Sequence, residues 1–193
     1  MKNILFASAF ILTSVSPAMA ETFSGPYIGA EIGYDNYEVR GRVAGAELNG
    51  LSGNGVVGGV YAGYDLALSD TLFVGAEASL NLSDAKFRLS AGADSFTLRA
   101  KETYGFSGRV GAMLNDSTAI YGRLGWANTR FKLSGFKGDG QSAFQYGGGI
   151  ETRVARNVAV RVEYTALDYG SADLGNGIAV GNNQVRGGIG YRF

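Results

Sequence analysis

From residue 28 to the C-terminus the chain alternates, position by position, between an apolar set and a set of glycines, polar and charged residues. A period of two is the signature of a β-strand with two different faces, because successive side chains leave a strand on opposite sides. The pattern recurs in eight runs. The apolar positions are Ile28, Ala30, Ile32 and Tyr34; then Val56 to Leu68; Leu72 to Leu82; Tyr104 to Leu114; Ile120, Leu124 and Trp126; Phe144, Tyr146, Ile150 and Val154; Val158 to Ala166; and finally Val185 to Phe193. No comparable helical periodicity competes with it. The fold class is therefore all-β.

The links between runs fall into two kinds that alternate along the chain. Ser69-Asp70, Asn115-Asp116 and Ala155-Arg156-Asn157 are tight and rich in turn formers. The stretches 40–54, 83–95, 128–142 and 168–182 are long and rich in Gly, Ser, Asp and Asn, and read as loops. Short turns at one end and long loops at the other are what a transmembrane barrel predicts. The polar face decides the direction of the apolar one. It carries charges of both signs deep within the runs: Glu31, Glu77, Glu151 and Glu163 against Arg109, Arg123, Arg161 and Arg186. A soluble sheet would bury its apolar face and leave these charges in water. Runs of about 11 residues, the length that crosses a bilayer at a tilt, point the apolar face at lipid instead. The expected architecture is an eight-stranded antiparallel transmembrane up-and-down β-barrel, closed so that no backbone edge meets hydrocarbon.

Composition then narrows the chemistry. The 193 residues include no cysteine and no histidine, which removes disulfides, thiolate nucleophiles, imidazole acid–base catalysis and His- or Cys-ligated metals. Lys+Arg and Asp+Glu are equal at 17, against the basic footprint that nucleic acid requires. Mean hydropathy is +0.02, the average of two interleaved faces, and so excludes only a helical membrane protein. Thirty-one glycines are about twice the roughly 7% that is usual. On the inward face they make room for long side chains, as Gly147 and Gly149 would beside Gln145 and Glu151. No enzyme, no cofactor and no metal site is expected.

The first 20 residues differ from the rest. A basic start at Lys2, an apolar run from Ile4 to Val15 and the ending Ala18-Met19-Ala20 have the three parts of a secretory signal peptide, with Ala18 and Ala20 as the small residues of the cleavage site. Two segments follow: a leader at 1–20 and a barrel domain at 21–193.

Counted from the short turns, Glu77 and Arg109 lie at similar depth, as do Glu151 and Arg161, while Glu31 meets Arg186 where first and last strands close. The eight charged residues are expected to form an interior network, either a narrow polar pore or a charge-paired plug. Aromatics at strand ends, Trp126, Phe144, Tyr191 and Phe193, suit interfacial girdles. Gly53-Asn54-Gly55-Val56-Val57-Gly58 has dinucleotide-loop spacing but leads into a strand rather than a helix, so it carries no such site. Arg40, Arg42, Lys86, Arg88, Arg130, Lys132 and Lys137 place positive charge in the long loops, where lipopolysaccharide phosphates could meet it, while Asp139, between Gly138 and Gly140 and with Lys137, could touch a cation or lipopolysaccharide.

Ser24-Gly25-Pro26-Tyr27-Ile28-Gly29 resembles the first strand of opacity-type, OmpA/OmpX-like small outer-membrane β-barrels. Arg123-Leu124-Gly125-Trp126-Ala127 and Val160-Arg161-Val162-Glu163-Tyr164, followed by Asp168-Tyr169-Gly170, are similar to their later strands. Gly188-Ile189-Gly190-Tyr191-Arg192-Phe193 resembles the C-terminal strand that the outer-membrane assembly machinery recognises, with Tyr191 and the terminal Phe193 as its signal. The resemblance implies a Gram-negative outer-membrane location, contact with outer-membrane lipid and lipopolysaccharide, and exposed variable loops able to touch host or surface ligands. It does not imply one activity, since such barrels include structural proteins, adhesins and small porins. The expected function is that of a surface protein with a structural, membrane-integrity role and extracellular loops for contact, with a narrow porin passing ions or small solutes as the alternative.

Overall fold

The computed structural model describes residues 23–43, 46–83, 86–91, 94–133, 140–171 and 179–193. These form one closed antiparallel sheet. The strands are β1 (Gly25–Val43), β2 (Ala46–Ala67), β3 (Leu72–Ser83), β4 (Lys86–Ala91), β5 (Asp94–Met113), β6 (Thr118–Leu133), β7 (Gly140–Ala155), β8 (Val158–Ser171) and β9 (Ala179–Arg192). Apart from β3 and β4, which do not pair with each other, consecutive strands pair, and β9 returns to pair with β1, for example Ile28 with Tyr191 and Tyr34 with Val185. β4 takes up the line of β3 against β5, so nine strands make eight walls. Every wall thus finds backbone partners on both sides, as a bilayer demands.

The short turns are locally encoded. Asn115 Oδ1 accepts from the backbone N–H of Ser117 and Thr118 at 3.0 and 2.9 Å, and Ser69 Oγ accepts from Thr71 and Leu72 at 3.3 and 3.1 Å. These side-chain bonds imitate a backbone turn and satisfy amides at the strand ends. The first described residues and the C-terminus lie at this end too, where Phe193 N–H donates to the Pro26 carbonyl.

At the other end the loops expected at 40–54, 83–95 and 128–142 are largely strand. β1 and β2 run to 19 and 22 residues and pair as far as Val43 with Ala46, with a bulge at Val39/Arg40. β4 and β5 likewise pair to Ala91 with Asp94. Their Gly, Ser and Asn content gives no strand signal alone. A partner strand already in register supplies the hydrogen bonds, and the ladder continues past the 9–11 residues a bilayer needs.

The alternation maps onto the wall as expected. Ile32, Val60, Phe106, Leu124, Val162 and Ile189 point outward and exposed, while Glu77, Ser107, Arg109 and Thr165 point inward and buried. Ala166 is an exception: it has outward parity yet is buried, its register partners being the larger Tyr146 and Asn183. Inward glycines sit directly across from inward aromatic rings. Gly63 pairs with Tyr27, Gly29 with Tyr61, Gly111 with Phe73 and Gly149 with Tyr121. A Cβ on Gly149 would stand 2.8 Å from Tyr121 Oη and 2.6 Å from the Val162 carbonyl. Much of the room that glycine makes is therefore taken by rings lying flat on the wall, rather than by Gln145 and Glu151 alone.

Candidate functional site: an ionic lumen

The inward charges assemble into two closed rings. In the upper one, arginine and glutamate alternate through six members drawn from β1, β3, β6, β8 and β9. Arg123 Nη1 reaches Glu77 Oε1 at 3.2 Å and Glu163 Oε1 at 2.7 Å. Arg161 joins Glu77 at 2.6 Å to Glu31 at 2.7 Å. Arg186 joins Glu31 at 2.7 Å to Glu163 at 2.6 Å, which closes the circle. Ser107 Oγ accepts from Arg123, Thr165 Oγ1 accepts from Arg186, and Tyr121 Oη donates to Glu163 at 2.9 Å.

Nearer the turn end lies a ring of four. Arg109 joins Asp65 at 3.2 Å to Glu151 at 3.0 Å, and Arg192 joins the same two carboxylates at 2.5 and 2.6 Å. Tyr27 links the tiers: its Oη donates to Glu77 at 3.0 Å and accepts from Arg109 at 3.3 Å. Arg109 itself approaches Glu77 at 3.6 Å. Each ring holds as many arginines as carboxylates, and no side chain in either is more than 7% exposed.

Aromatic faces complete the arginine environments. Arg161 lies 3.4 Å over Tyr61, and Arg109 lies 4.2 Å over Tyr121 and 5.2 Å over Tyr27 and Phe73. Such faces attract a guanidinium that has lost its water. The rings' neutrality matters more, because an unpaired charge in this lumen would cost several kcal/mol.

All eight residues singled out from the sequence lie in these rings, with altered pairings. Glu31 does meet Arg186. Glu77 touches Arg109 but binds Arg161 and Arg123 more closely. Glu151 and Arg161 are direct register partners, yet their head groups turn apart, Glu151 to Arg109 and Arg192, Arg161 to Glu31 and Glu77. Sequence reasoning passed over Asp65, Arg192 and the tyrosines. Asp65 resembles a turn residue and Arg192 a terminal one, although their parity already put both on the inward face. Among the loop candidates, Arg130 is exposed on the outer wall, 3.4 Å from Glu102. The side chains of Arg40, Arg42, Lys86, Arg88 and Lys132, and the whole of Ala18, Ala20, Lys137 and Asp139, lie outside the described residues.

A closed wall with an apolar outside and an ionic inside is the inverse of a soluble core, and similarity to known proteins agrees with it. The family model described as "Outer membrane protein beta-barrel domain" matches residues 5–193. The chain belongs to this family. It accordingly resides in the bacterial outer membrane, with its short turns periplasmic and its long hairpins extracellular. The chain is 28% identical over 214 aligned positions to the 31 kDa outer-membrane immunogenic protein of Brucella melitensis, covering 91% of this chain and 87% of that one. In fold it is similar to OprG of Pseudomonas aeruginosa (14% identity, TM-score 0.58, 88% of this chain and 96% of that one). It is also similar to Neisserial surface protein A (17% identity, TM-score 0.57, 88% and 98%). The outward aromatics fall toward the two ends of the wall: Trp126 against Phe144 near the extracellular side, with ring centroids 5.8 Å apart, and Tyr191 against Phe193 near the periplasmic side, at 5.0 Å.

Proposed function

We propose that this barrel is a non-conducting surface protein, which stiffens the outer membrane and presents its extracellular hairpins for contact. The observation that carries this reading is the pair of closed, neutral rings. An eight-stranded barrel has an interior just wide enough for side chains, and here the side chains cross it twice in continuous Arg–carboxylate circuits. The charged lumen is what would favour a narrow porin, and planar-bilayer recording separates the two. Refolded protein should give no reproducible single-channel steps, and regular steps would establish the porin.

The protein is also proposed to have no catalytic role. Family members of this kind are generally non-enzymatic, and the ring carboxylates are each committed to two or more arginines, which leaves none poised as a base. Residues 1–20 are proposed as a leader cut after Ala20. Tyr191 and Phe193 are proposed as the assembly signal, both exposed on the outer wall at the chain's end. Lipopolysaccharide is the proposed outer-leaflet partner and the assembly machinery the proposed transient one. Loop contacts with host or surface ligands complete the reading.

A further inference from the structure

We propose that Phe23 is an N-terminal stopper that seals the periplasmic mouth of the barrel after the wall has closed, so that the lumen is blind on that side. Phe23 precedes the first strand and, on the proposed cleavage after Ala20, is the third residue of the mature chain, where a chain end would ordinarily trail into water, yet it is only 1% exposed. Gly25, at φ +104°, turns the backbone there, a conformation that side-chain-bearing residues rarely adopt. Ser24 Oγ donates to the Asp65 carbonyl at 3.4 Å. The Phe23 ring then stacks on Phe73 at 6.0 Å and packs with Ala119 and Tyr121. Arg192 lies 4.7 Å above it and Arg153 5.4 Å.

Two consequences follow from where these partners come from. Phe73, Ala119, Arg153 and Arg192 belong to four different strands, so the seat exists only in the completed barrel. Docking of Phe23 is therefore a step after closure, not a part of it. The ring also stands between periplasmic water and the four-membered ring of Asp65, Arg109, Glu151 and Arg192. Arg192 touches both, through its carboxylate contacts and through the Phe23 face.

The absence of cysteine from the chain allows a clean test. Ala119→Cys places a reporter thiol beside Phe23, and the folded barrel in lipid nanodiscs is treated with a charged, membrane-impermeant methanethiosulfonate. With Phe23 in place labelling should be slow. In Phe23→Ala it should be about tenfold faster or more, because the thiol is then reached without a local opening, while Phe23→Leu should restore protection. Equal rates in all three overturn the proposal. So does failure of Phe23→Ala to give a folded, heat-modifiable band, because a stopper that docks after closure is not needed for closure. Conductance is read in parallel on Phe23→Ala, in which the mouth is open and the two charge rings alone stand in the lumen. Channel steps in the unmodified protein defeat both the non-conducting reading and the blind lumen, steps in Phe23→Ala alone defeat only the claim that the rings block the lumen, and the labelling rates decide the stopper.

Discussion

Glu77→Gln changes one oxygen to nitrogen at the residue that joins the two rings, and it tests whether the lumen is held by charge or by shape. Glu77 takes Arg161 at 2.6 Å, Arg123 at 3.2 Å and the Tyr27 hydroxyl at 3.0 Å. The amide keeps the volume and one acceptor but leaves three arginines facing two carboxylates in the upper ring. An uncompensated charge of this kind costs about 3–5 kcal/mol. With an m-value of about 2 kcal/mol per molar urea, the unfolding midpoint should fall by roughly 2 M. Trp126 is the sole tryptophan and stands 66% exposed on the outer wall, so its emission reports departure from the bilayer. The second half of the test is Glu77→Gln combined with Arg161→Met, which restores neutrality because Glu31 and Glu163 still face Arg123 and Arg186. The double variant should be more stable than the sum of the single losses by about 1–3 kcal/mol. A single variant that loses under about 1 kcal/mol, or strictly additive losses, would refute an ionic lumen balanced as described.

The wall offers further tests. Gly149→Ala should lower stability by about 1–3 kcal/mol by driving Tyr121 off Glu163; Gly187→Ala, whose Cβ would meet nothing within 4 Å, should be neutral or slightly stabilising in the same urea titration. Val162→Arg should cost about 2–4 kcal/mol in bilayers if that position lies near mid-depth of the lipid face, with little loss in detergent. Phe193→Ala should reduce the amount of folded barrel recovered from cell outer membranes while leaving refolding of purified protein into detergent unchanged. N-terminal sequencing of the membrane-extracted protein should begin at Glu21.

How much of the fold is legible in the sequence depends on the length scale of the interaction. Strand identity, facing and the tight turns are decided within a few residues. The Leu66–Asp65 alternation, Asn115 at a turn and the charge at Arg109 are each legible in place, because side-chain direction follows from period two alone. The hairpin extensions were less legible. Their Gly- and Ser-rich sequence reads as loop, and only a neighbouring strand in register makes it β.

The ring connections stand at the far end of that scale. Every arginine in the two circuits can reach several carboxylates across the barrel, and residues such as Arg186 and Glu31 are joined over a separation of 155 positions. Parity says that Asp65 and Arg192 face inward, but not that they meet. The stagger of the strands around the closed wall sets the height of each head group, and that height selects its partners. The sequence by itself determined the sheet, its inverted faces and an interior with charges of both signs. The closure of β9 on β1 decided the rest: which charges share a tier, that each tier is neutral, and that Phe23 has a mouth to fill.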